Sequence, residues 1–114
     1  TPEARAMITG SVNSALVNFT KSLAALGVKD KVRVNAVLPG AIRTARYEGR
    51  LKRAMASLGV DAAAAEQSMV TKAAITRIGE VDDVANVVAF LLAPQSGYMH
   101  GSVVDVDGGR TKGV

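Results

Sequence analysis

Residues 33–40 read Arg33-Val34-Asn35-Ala36-Val37-Leu38-Pro39-Gly40, and Ile42 and Thr44 follow close behind. The run from Val32 to Leu38 is short and rich in β-branched and aliphatic side chains. A charged turn, Lys29-Asp30-Lys31, precedes it, and Pro39-Gly40 closes it. Such a run predicts a strand buried on both faces, of the kind that parallel sheets use. Pro39, Gly40, Ile42 and Thr44 then stand at the carboxyl end of that strand. Open α/β sheets bind ligands there; the competing reading is an ordinary strand-to-loop turn.

Upstream, Ile8, Val12, Leu16, Phe19, Leu23 and Leu26 recur at spacings of three and four, which predicts one face of an amphipathic helix. Thr1-Pro2-Glu3 suits the start of that helix, with Thr as N-cap, Pro at the first helical position and Glu at the positive end of the dipole. Gly27 is the expected C-cap. Gly10 inside the pattern implies either a strained turn or the close approach of another backbone, since it costs about 1 kcal/mol relative to Ala.

Downstream, a polar, basic stretch runs from Arg43 to Arg53. Leu51, Met55 and Leu58 predict a short helix stopped at Gly59, and a second helix capped by Asp61 runs to about Ala74. Glu80 to Leu92 predicts a further helix, with Val81, Val84, Val88 and Leu91 or Leu92 as its apolar face, acids in its first turn, and Pro94 beyond its end. Gly97 to Gly101 reads as a turn. Ser102 to Val106 reads as a second strand, closed by Asp107-Gly108-Gly109. One carboxylate is too few for a Ca²⁺ or Mg²⁺ cage, so this last tripeptide reads as a turn. Helix, strand, helices and strand imply a parallel pair joined by a right-handed crossover. Two parallel strands alone leave an uncovered face and unpaired edges. The chain is therefore expected to be part of a larger sheet, needing the rest of that sheet or another copy of itself.

The composition narrows the function classes. Of 114 residues 48% are apolar and 21% charged, a balance typical of soluble globular domains. The length allows one domain and not two. No apolar run has the roughly 18 residues of a membrane span, and no signal peptide is visible. With no cysteine, thiolate metal sites, disulfides and Cys nucleophiles are excluded, which fits a cytoplasmic protein. A single histidine, His100, builds no His-based metal site. The net charge of +4 and the scarcity of aromatics argue against a nucleic-acid partner. Arg43, Arg46, Arg50, Lys52 and Arg53 read first as a solvated helix face, and second as a surface for a phosphorylated carrier or a cofactor phosphate.

Several ordered blocks are specific. Ser22-Leu23-Ala24, residues 33–40, Ile42 and Thr44, then Arg77-Ile78-Gly79-Glu80-Val81-Asp82-Asp83-Val84-Ala85, Phe90-Leu91-Leu92, Tyr98-Met99-His100-Gly101 and Val106-Asp107-Gly108-Gly109 resemble, in order and spacing, the C-terminal half of the short-chain dehydrogenase/reductase domain. The resemblance implies an α/β fold: a partial Rossmann-like doubly wound domain, its C-terminal helices with two parallel strands, over residues 1–114 as half of one nucleotide-binding domain. It implies NAD or NADP as cofactor of the intact domain, a small-molecule alcohol or ketone as substrate, and a homo-oligomer. That family's first half carries a Gly-rich pyrophosphate turn and a catalytic serine. No G-x-x-x-G-x-G or G-x-G-x-x-G run occurs in this sequence.

By the same resemblance, the backbone of Ile42 and the hydroxyl of Thr44 meet the nicotinamide carboxamide, with Pro39 and Gly40 beside them. The family's chemistry uses a Tyr phenol as proton donor and a Lys one helical turn later. Counting back from Arg33, those positions hold Thr9 and Asn13. A phenol has a pKa of roughly 10, whereas a Thr hydroxyl is far less acidic. Asn13 is neutral and cannot depress a neighbour's pKa, though it can hydrogen-bond a cofactor ribose. The standard Tyr–Lys mechanism is therefore not expected, and this chain alone is not expected to be active. Tyr47, in the loop that resembles the family's substrate lid, is a lesser candidate for replacement acid. Tyr98 matches a position of structural character. A catalytically inactive member serving as a binding or oligomerisation module is the alternative reading.

Overall fold

A computed structural model describes residues 7–111. The predicted cap at Thr1-Pro2-Glu3 lies outside them. In order, the elements are α1 (Met7–Asp30), β1 (Ala36–Pro39), α2 (Ala45–Leu58), α3 (Ala62–Ala73), α4 (Val81–Leu92), a 3₁₀ turn (Pro94–Ser96) and β2 (Val103–Val106). The two strands are neighbours in one parallel sheet. Their pairing extends beyond the strand limits. Gly101 N–H donates to Val34 O (2.7 Å), Ala36 N–H to Ser102 O (2.8 Å) and Gly40 N–H to Val106 O (2.9 Å). The strand predicted from Val32 begins later because Arg33 and Asn35 have other work. Arg33 donates to the carbonyls of Ser96 (3.0 Å) and Met99 (3.4 Å), and Asn35 joins Met99 O and Ser102 N–H. Within this two-stranded sheet β1 is half-buried, not buried on both faces.

The residues group into two compact units, 1–38 with 86–105, and 39–85 with 106–114. In the first unit, α1 runs past Gly27. It ends where Lys31 takes a left-handed backbone (φ 57), with Val32 N–H bonded to Gly27 O (2.9 Å) and Lys31 N–H to Val28 O (3.2 Å). That is a Schellman end with Lys where Gly is usual. Gly27 is needed for another reason: a Cβ there would collide with the carbonyl of Val32. Among the described side chains of α1, Thr20 and Ala24 are buried, and Ala24 packs beside Gly101. The predicted apolar stripe is uncovered instead, Ile8, Val12, Leu16, Phe19, Leu23 and Leu26 all being exposed. Nothing among the described residues comes within 4 Å of a Cβ built on Gly10, so the close approach expected there is not made by this chain. Tyr98, expected to be structural, is fully exposed. Of α4's expected apolar face only Leu91 is buried.

The second unit has the clearer core. Tyr47, Leu51, Ala65, Ile75 and Ile78 form it, with Ala41, Met55, Met69 and Val70 packed around. Helix α2 starts at Ala45, earlier than the apolar pattern alone indicates. Thr44 caps it by accepting from Tyr47 N–H, and Arg46, Arg50, Lys52 and Arg53 are exposed along it. Gly59 ends it in a left-handed conformation (φ 65). Asp61 then caps α3 through Ala64 N–H (2.8 Å). An αα-hairpin results, closed by a tight turn.

Candidate functional site

Pro39, Gly40, Ile42 and Thr44 lie together in the second unit, at the carboxyl end of β1. Gly40 is required here by packing. A Cβ on it would stand 2.7 Å from Asp107 Cα and Cβ, at the end of β2. The Asp107 carboxylate is itself occupied. Oδ1 accepts from Gly109 N–H (3.0 Å) and Oδ2 from Thr111 N–H (2.8 Å), and bonding to Thr111 holds its carboxyl below the usual range. The tripeptide 107–109 is thus a turn closed by its own aspartate.

Ile42 sits in a parallel bridge opposite Gly79. Gly79 N–H donates to Ala41 O (2.9 Å) and Arg43 N–H donates to Gly79 O (2.8 Å). These bonds use the groups on either side of Ile42 and leave its own N–H and C=O without a hydrogen-bond partner among the described residues. Gly79 is needed for the bridge, because a Cβ there would meet Ile42 Cδ1 at 2.7 Å. Thr44 is exposed, and its hydroxyl accepts from Tyr47 N–H at 3.4 Å, which leaves the O–H hydrogen free to donate. One residue thus offers an adjacent N–H donor and C=O acceptor, and a second offers a hydroxyl two positions on. That is the complement of a carboxamide.

Thr9 and Asn13 lie one helical turn apart on α1, in the first unit. Asn13 is exposed and has no partner among the described residues. Two open grooves in that unit, each of about 490 Å³, share Lys31 and Arg33, and none of the predicted site residues lines either.

Tyr47 is not placed to donate a proton to a substrate. It is buried, and its hydroxyl donates to Glu66 Oε1. Burial first, and the Glu66 carboxylate second, push its pKa up to about 12. No local sequence pattern marks the partners that gather around it. Glu66 of α3 accepts from Arg43 Nη1 (2.9 Å), Glu80 accepts from Arg43 Nε (3.1 Å), and the Arg43 guanidinium lies 5.2 Å from the centre of the Tyr47 ring. Bonding to Arg43 and then Tyr47 holds the Glu66 carboxyl below its usual range. Of the five basic residues in the stretch, only Arg43 is drawn into the fold; Arg46, Arg50, Lys52 and Arg53 stay exposed on α2.

A family model described as enoyl-(acyl carrier protein) reductase matches residues 2–111. A tropinone reductase homologue of Arabidopsis thaliana is 34% identical over 91% of this chain and 36% of its own length. The L-sorbose reductase of Gluconobacter frateurii, solved with NADPH and L-sorbose, superposes with a TM-score of 0.79 at 34% identity, over 89% of this chain and 39% of that one. The apo structure of a short-chain oxidoreductase from Pseudomonas aeruginosa PAO1, described as containing an atypical catalytic centre, superposes with a TM-score of 0.78 at 26% identity, over 93% and 41%. The chain therefore spans about two fifths of the length of the relatives it matches.

Proposed function

Since the chain belongs to the short-chain dehydrogenase/reductase family, we propose that the natural protein carrying it is an NAD(P)-dependent oxidoreductase of alcohol or ketone substrates, cytoplasmic and homo-oligomeric. The observation that supports this best is the free N–H and C=O of Ile42, held in place by the bonds to Gly79 on either side. A nicotinamide carboxamide needs one acceptor and one donor at that spacing. Thr44 adds a hydroxyl, and Pro39 and Gly40 shape the turn that leads there. A bound nicotinamide supplies the hydride; the protein supplies position and proton transfer.

The proton is the weak point of that chemistry. At the positions of the family's Tyr and Lys, Thr9 cannot serve as an acid near neutral pH, and Asn13 carries no charge to assist it. Asn13 retains the capacity to hydrogen-bond a ribose hydroxyl. Two outcomes follow from this pair: another group carries the proton, or the protein binds cofactor without turning over. The second reading, a catalytically inactive member acting as a binding or assembly module, rests on those two residues.

One experiment separates them. Titrating NADH and NADPH into the natural full-length protein and following nicotinamide fluorescence tests binding; no binding of either overturns the oxidoreductase reading. The double variant Thr9→Tyr/Asn13→Lys is then assayed with a panel of ketones. Turnover that appears only in the double variant supports the inactive-member reading. Turnover in the parent, unchanged by Thr9→Ala, identifies a proton donor elsewhere.

A further inference from the structure

Arg33, Arg43 and Arg77 each donate to acceptors within the fold. Arg46, Arg50 and Arg53 do not. All three are exposed on α2 and make no side-chain hydrogen bond or ion pair among the described residues. They stand four and three positions apart, so one helix face carries them all, in a row about 10 Å long. Glu48 is the only acid of α2. It lies two positions from both Arg46 and Arg50, a spacing at which side chains do not face each other. Like charges three and four apart destabilise a helix, and nothing among the described residues offsets that cost.

Gly49 is a second, independent observation. It follows Arg46 by three positions and precedes Arg53 by four, which places it within the cationic face. Glycine inside a helix is destabilising relative to alanine. Yet a Cβ built on Gly49 meets nothing within 4 Å, so the described fold makes no use of the bare backbone there. The gap leaves room for another chain to pass close to the helix among the arginine heads.

The chemistry of the face selects what passes. It is the convex outside of a helix, whereas small molecules take concave sites. Tyr47 and Leu51 are buried and Met55 packs against the core, so the face lacks the apolar centre that anchors a folded partner. Three guanidiniums also fall short of the roughly six to ten phosphate contacts of a DNA-binding protein. What fits is a solvated run of carboxylates, each matching the two parallel N–H groups of a guanidinium. Successive arginines are about 6 Å and 4.5 Å apart along the axis. An extended chain repeats side chains on one face about every 6.6 Å, and long arginine stems absorb the difference.

We propose that Arg46, Arg50 and Arg53, with the gap at Gly49, form a docking row for an extended acidic segment of a partner protein, one with carboxylates at alternate residues. The contact is electrostatic, fast and sensitive to salt. It stands apart from the nicotinamide reading of Ile42 and Thr44.

The test uses the natural full-length protein and a fluorescein-labelled peptide of alternating Glu and Ser, followed by fluorescence anisotropy at low ionic strength. The parent is expected to bind it. Arg50→Gln is expected to weaken binding about threefold and Arg46→Gln/Arg53→Gln about tenfold, at one exposed ion pair per arginine. Lys72→Gln removes an exposed cation from α3 and should match the parent; an equal loss there would mean that net charge alone attracts the peptide, and the proposal fails. No binding by the parent overturns it too, the result expected if the rest of the full-length protein covers the row. Polyuridylate that binds as tightly, with the same losses in the variants, would make the row a reader of phosphate polymers and end the acidic-segment reading. NADPH titration of the same variants should match the parent; a parallel loss would assign the arginines to the cofactor and overturn the docking row. Circular dichroism checks folding, and should the double variant not fold, Arg50→Gln decides alone.

Discussion

At the scale of single residues, two positions bear on the proposed proton transfer. On the reading proposed above, Thr9 takes the position of the family's phenol; the phenol of Tyr47, for its part, is buried against a carboxylate with its pKa pushed up to about 12. Tyr47 stays a neutral hydrogen-bond donor throughout the working pH range. Tyr47→Phe is therefore expected to retain whatever turnover the full-length protein has, and to lose about 1–2 kcal/mol of stability in urea unfolding through the missing bond to Glu66. Abolished turnover with an intact fold would return Tyr47 to candidacy as the acid. Gly40 shows the limit of a sequence reading at this scale. Its position at a strand end indicates a ligand site, but the contact that excludes a side chain comes from Asp107, distant in sequence. Glu66 carried no signal at all, because nothing local marks one glutamate of an alanine-rich helix as the partner of Arg43.

Among the elements, local chemistry was easy to read and burial was not. Asp61, Gly59 and the start of α4 are set by short-range signals, and the structure agrees at each. The start of α4 also has a second half to its cap. Asp83 Oδ2 accepts from Glu80 N–H (2.7 Å) and from Arg77 Nη1 (2.7 Å), while Oδ1 accepts from Arg77 Nη2 (3.0 Å). Bonding to Arg77, then to the Glu80 amide, brings the Asp83 carboxyl down to about 2. A carboxyl depressed in the folded state stabilises fully above its ordinary value of about 4 and ceases to as pH falls toward the folded value. Melting temperatures measured from pH 5 to pH 2 should therefore decline less steeply for Asp83→Asn than for the parent. Equal slopes would mean that the carboxylate adds nothing to the cap. For helix α1 the periodicity gave the helix but not what covers its stripe. The stripe from Ile8 to Leu26 marks a face made for burial, but Thr20 and Ala24 are what this chain buries. Periodicity reports that a face has a partner, not which polypeptide supplies it.

Considered as a whole molecule, the chain presents helices and a two-stranded parallel sheet with one apolar helical face uncovered. Element order and the spacing of the blocks were enough to read the fold class, because parallel pairing follows from chain direction and crossover length. The division into two units was not legible, since it depends on long-range pairing. The uncovered stripe yields a prediction for the full-length protein. Light scattering should find an oligomer, and Phe19→Glu should reduce it to a monomer that keeps its helical circular dichroism. Should that variant unfold instead, the stripe is covered within one protomer and the oligomer forms elsewhere.

The interleaving of the two units also bears on how the chain reaches its structure. The second unit is built largely from the hairpin of α2 and α3, whose partners are near in sequence. At the start of the sheet, the Asn35 side chain accepts from Ser102 N–H, 67 residues away. Chain closure over that distance is entropically expensive, and it becomes cheaper once the intervening residues have condensed. The hairpin is thus expected to form first and act as the compact loop that brings the strands to register, which makes β1–β2 pairing the late event of folding.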